Sequence, residues 1–157
     1  MGIDNYNAKM NAIADQTDQV RNLVRNRDKD LRHRAFTARH IFELLRNRPD
    51  DLVTLLTSIG LTINDLTTLG RDGLTKLNED IPTMDVMMNL RNQRNDEFEK
   101  AISTNDLHDF SFLSVAIPYC DIVVTEKKWV TLAKRKGLDQ KYNTVLLGDL
   151  EDLKNFL

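Results

Sequence analysis

The chain has 157 residues, of which 41% are hydrophobic and 29% charged. That is the size of one domain, or of one domain with a helical arm, and the composition excludes a disordered chain. Its unbroken apolar runs are a few residues long, which excludes a membrane span. A single cysteine, Cys120, excludes an internal disulfide framework and a multi-cysteine zinc site. With no basic, apolar leader in Met1–Asn5, a cytoplasmic location is expected. The formal net charge of −2 hides a segregation: residues 1–48 carry +4, residues 49–126 carry −9 and residues 127–157 carry +3. Basic ends suit an anionic polymer and an acidic middle suits cations, although solvated faces that neutralise one another give the same pattern.

Residues 7–33 read as a long helix, with Met10, Ile13, Val20, Leu23, Val24 and Leu31 at helical spacing. Ala35–Asn47 reads as a second helix, ended by Arg48-Pro49 because the residue before proline avoids the helical region. A short helix follows from Asp50 and Asp51 toward Gly60, and short helices and turns fill 61–81. A longer helix is expected from about Met84 to Ser103, and a compact apolar one from Asp106 to Ile117, stopped by Pro118. Cys120–Thr125 is a β-branched run that reads as a buried parallel strand. Glu126–Lys136 reads as a helix, Asn143–Leu147 as a second strand, and Asp149–Leu157 as a last helix. The expected fold is a helix-rich α/β class. Residues 1–81 form a helical arm or region, and residues 82–157 an α/β part with strands near 120–125 and 143–147.

The helix at 106–117 is roughly 18 Å long, and the strand at 121–125 is roughly 17 Å long. A sharp turn at Pro118-Tyr119 makes them antiparallel, so the helix start lies beside the strand end. Asp106 and Asp109 then fall near Glu126, at the carboxyl end of a strand, where α/β folds place ligands. Three adjacent carboxylates suit Mg²⁺ or Mn²⁺, which could activate water against a phosphodiester. The simpler explanation of an Asp at a helix start is a cap. Asp121, at the strand's beginning, reads as structural.

Thr104-Asn105-Asp106-Leu107-His108-Asp109, followed by Ala116-Ile117-Pro118-Tyr119-Cys120-Asp121-Ile122-Val123-Val124-Thr125-Glu126-Lys127, resembles the C-terminal half of PIN-like ribonuclease domains. The resemblance covers roughly residues 82–157. It implies a remnant of the PIN-like parallel sheet and a metal-dependent RNA endonuclease, or the C-terminal part of one, similar to the toxins of bacterial toxin–antitoxin modules. It also implies that Asp106 or Asp109 is the helix-start ligand and Glu126 the strand-end ligand of Mg²⁺ or Mn²⁺. The family's opening strand with its aspartate has no counterpart here, and Glu43 does not match the context of its helical glutamate. The alternative is therefore a non-catalytic PIN-like module that binds RNA or a protein partner.

Arg21, Arg25 and Arg32 in the basic arm, with Lys127 and Lys128 beside Trp129, are the candidate phosphate contacts. The amphipathic helix at 7–33 also suits pairing with a second copy or another protein. Trp129 reads either as a base-stacking platform or as core. His33, His40 and His108 lack metal-ligand spacing, although His108 could shuttle a proton. Cys120 reads as an inert core thiol. No Gly-rich phosphate loop is present.

Overall fold

The computed structural model describes residues 3–47, 49–58 and 60–156. The side chains of Ile41, Phe42, Glu43, Leu44, Leu45, Leu52 and Leu55 lie outside the described residues. In chain order the elements are α1 (Ile3–Val24), α2 (Lys29–Asn47), α3 (Pro49–Ser58), α4 (Ile63–Thr68), α5 (Gly70–Asp80), α6 (Pro82–Asn95) and α7 (Thr104–Tyr119). Then come β1 (Ile122–Val124), α8 (Lys127–Arg135), α9 (Leu138–Tyr142), β2 (Val145–Leu147) and a 3-10 helix (Leu150–Asn155). The fold is helix-rich α/β. β1 and β2 pair in parallel, with Ile122, Val123 and Val124 opposite Val145, Leu146 and Leu147.

The core sits between α6, α7, α8, α9 and this small sheet. Val86, Leu90, Leu113, Ile117, Trp129, Leu132 and Leu138 are almost fully buried in it. Ala14 of α1 belongs to the same buried cluster, with Met10 and Ile13 packed against it. The first helix is thus fastened to the α/β half, and much of its apolar stripe is already covered. Among the described residues, no helix is long and apolar enough to cross a membrane.

Several element boundaries depart from the sequence pattern. The expected long helix at 7–33 is broken at residues 25–28, because the Asp28 carboxylate accepts the Leu31 N–H at 2.9 Å and starts α2. α6 ends at Asn95 rather than near Ser103, and residues 96–102 form an irregular loop. α7 runs through Pro118 to Tyr119, since a proline in the last turn forfeits one bond while Cys120 N–H still reaches the Ala116 carbonyl. Cys120 follows that last turn and is exposed, so it is not a core thiol. α9 was not visible as a helix, and the C-terminal helix is of the tighter 3-10 type.

Candidate functional site

Ser103 caps α7, and the cap is reciprocal. The Ser103 hydroxyl accepts the Asp106 N–H, and the Asp106 carboxylate accepts the Ser103 N–H at 2.9 Å. The same Oδ2 takes the Arg94 guanidinium at 3.0 Å, and Oδ1 takes the Lys128 ammonium at 2.9 Å. The Arg94 and Asp106 side chains are each 4% exposed. Burial by itself would raise the Asp106 pKa. The Ser103 N–H, Lys128 and Arg94 outweigh it and bring the group down to about 2.

Asp109 lies one turn further on, and its Oδ2 accepts the Trp129 indole N–H at 2.7 Å. Glu126 precedes α8, with a side chain 70% exposed, and its Oε2 lies 3.8 Å from the Lys128 ammonium. Lys128 therefore stands between Asp106 and Glu126. In this arrangement Asp106 Oδ2 is filled by Ser103 and Arg94, and Oδ1 holds an ammonium. Among the described residues, no group of three or more His, Cys, Asp or Glu side chains is arranged to hold a metal. The Asp121 side chain is exposed, while its carbonyl accepts the Val145 N–H and extends the sheet ladder.

The candidate phosphate contacts divide into two kinds. Arg21 is 3% exposed and donates to the carbonyls of Asn95, Glu97 and Lys100, and to Asp18. It is the scaffold of the 96–101 loop. Arg94 completes that loop by donating to the carbonyls of Lys100 and Ala101, and Asp18 accepts the Ile102 N–H. Arg32 is held by Asp96 at 2.9 Å. Arg25 is half exposed, and its ion pair to Glu99 is long at 3.5 Å. Lys127 is exposed at the start of α8.

Phe98 stands at the centre of this loop, with the guanidiniums of Arg21, Arg25 and Arg32 each 5.5 Å from its ring centroid. Around it opens a cleft of about 720 Å³, whose walls carry Arg25, Arg32, Lys100 and Lys128 against Asp96, Glu97 and Glu99. Sequence reasoning missed Arg94 and Phe98. Neither sits in a motif, and their role depends on a loop closed by Arg21 from another helix.

Trp129 is fully buried, edge-on to Phe110 with centroids 5.1 Å apart, so it is core and no stacking platform. His33 Nε2 donates to the Asp96 carboxylate at 2.7 Å. His40 is buried beside Arg91, and burial followed by that guanidinium lowers its pKa to about 3. His108 is exposed and stacks on Tyr6.

No family model, curated protein or solved structure matches the chain.

Proposed function

We propose that this chain is a non-catalytic PIN-like module that binds single-stranded RNA in the cleft around Phe98. The observation that carries this reading is the trio of guanidiniums around one aromatic ring in an open cleft. Four cationic side chains line the cleft against three acidic ones. Arg25 and Lys100 meet phosphates, and a base stacks on the exposed face of the Arg25 guanidinium above Phe98. Arg21 and Arg32 hold the loop that presents them. Fluorescence anisotropy with a labelled single-stranded RNA tests this. Arg25→Ala and Phe98→Ala should each weaken binding about tenfold, the scale of one stacked base. Lys100→Ala should weaken it less and flatten the salt dependence by about one phosphate contact. Binding unchanged in all three variants overturns the reading.

The competing reading is a metal-dependent endonuclease with Mg²⁺ or Mn²⁺ on Asp106, Asp109 and Glu126. Its support is that Lys128 touches both Asp106 and Glu126, so two of those carboxylates share one cation. A rise in thermal midpoint with Mn²⁺, abolished by Glu126→Gln and by Asp109→Asn, favours that reading over the first.

A further inference from the structure

A base stacked on the Arg25 guanidinium brings its hydrogen-bonding edge to whatever stands beside that guanidinium. Three carboxylates line the Phe98 cleft, and they are not equally engaged. Asp96 is taken on both oxygens, by Arg32 at 2.9 Å and by His33 at 2.7 Å. Glu97 lies 3.8 Å from the buried Arg94 guanidinium, and its carbonyl is tied to Arg21. Glu99 is the loosest: its side chain is 90% exposed, and its Oε1 stands 3.5 Å from Arg25 Nη2. That contact places a pair of acceptors at the edge of the guanidinium on which the base stacks. Being long and exposed, it yields to a better donor at little cost.

Carboxylate chemistry then selects among the bases. An ionised carboxylate offers acceptors and no donor. Guanine presents two adjacent N–H donors, at N1 and N2, on its Watson–Crick edge. Adenine and cytosine each set one amino donor beside a ring-nitrogen acceptor, which a carboxylate repels. Uracil has a single N–H between two carbonyl oxygens. Guanine alone can fill both oxygens of Glu99 at once.

We propose that Glu99 makes the cleft selective for guanine in single-stranded RNA, an inference that rests on the RNA reading of the cleft and names the base it takes. The guanine stacks on Arg25 above Phe98, and its N1–H and N2–H donate to the Glu99 carboxylate. Lys100, next in the chain, meets the adjoining phosphate.

Fluorescence anisotropy of the full chain with short labelled oligouridines, carrying guanine, adenine, cytosine or uracil at the central position, tests it. The native chain should bind the guanine oligonucleotide about tenfold more tightly than the other three, the scale of one bidentate base contact. Glu99→Gln, at an exposed position, replaces the acceptor pair by one acceptor and one donor, which matches adenine at N6 and N1. The preference should therefore pass from guanine to adenine. Loss of the negative charge alone would tighten all four equally and leave their ratios unchanged, so a move in the ratio isolates the hydrogen bonds. The inference is overturned if the native chain binds the four alike, or if Glu99→Gln leaves the guanine preference in place. No binding to any of the four overturns the RNA reading itself, and this inference with it.

Discussion

Two buried polar regions of this molecule behave in opposite ways. At the start of α7, Asp106 is buried with both oxygens engaged by Ser103, Arg94 and Lys128. Between α2, α5 and α6, Asn92 keeps its Oδ1 buried with no hydrogen-bond partner among the described residues. The charged group thus sits in a network that organises a loop, whereas the neutral amide oxygen is left unanswered. The lesson is that the chemistry of a side chain announces a site less well than its account of hydrogen bonds.

The sharpest way to break the comparison is to open the closed network. Arg94→Met leaves a buried carboxylate with one cation fewer and removes the donor to the Lys100 and Ala101 carbonyls. Urea denaturation should show a loss of about 3–5 kcal/mol. Adding Asp106→Leu should recover part of that loss, because an apolar pair replaces a buried ionic one at little cost.

Acid should expose the same network. Asp106 binds its proton more weakly in the folded chain than in the unfolded one, so its contribution is present above the ordinary carboxylate range. That contribution is lost as the pH falls toward about 2. The shift corresponds to about 2 kcal/mol. His40 acts earlier and in the same direction. It stays neutral when folded down to about pH 3, so stability declines once the pH drops below about 6.5, where the unfolded histidine takes up a proton. Thermal midpoints measured across this range should fall in two stages, and His40→Gln should flatten the first.

Smaller effects sharpen the picture. Ser103→Ala removes the hydroxyl half of the cap and should cost about 1 kcal/mol in denaturant titration. Arg25→Ala, by contrast, should leave stability within about 0.5 kcal/mol while weakening RNA binding. Arg21→Ala should do the reverse of a mere surface change and destabilise the chain strongly, because the carbonyls of Asn95, Glu97 and Lys100 lose their donor.

Legibility followed the range of the forces involved. α8 and both strands were readable because a β-branched run and Gly137, in the left-handed region at φ 65°, act locally. The break between α1 and α2 was missed because the helical spacing continues across it and only the Asp28 cap interrupts it. The 96–102 loop was unreadable, since its backbone is held by Arg21, more than seventy residues away. For the same reason Arg21 looked like a phosphate contact and is in fact a buried loop support. At the candidate site, Asp106, Asp109 and Glu126 were visible as residues. That Asp106 is answered by Arg94 and Lys128, and Asp109 by Trp129, was not.

The most direct test is to incubate a labelled single-stranded RNA with the native chain, first with a chelator and then with excess Mn²⁺, following both binding and RNA integrity. The account predicts salt-sensitive binding in the chelator, weakened by Arg25→Ala, and RNA recovered intact after Mn²⁺ is added. Cleavage that requires Mn²⁺ and disappears in Glu126→Gln would contradict it.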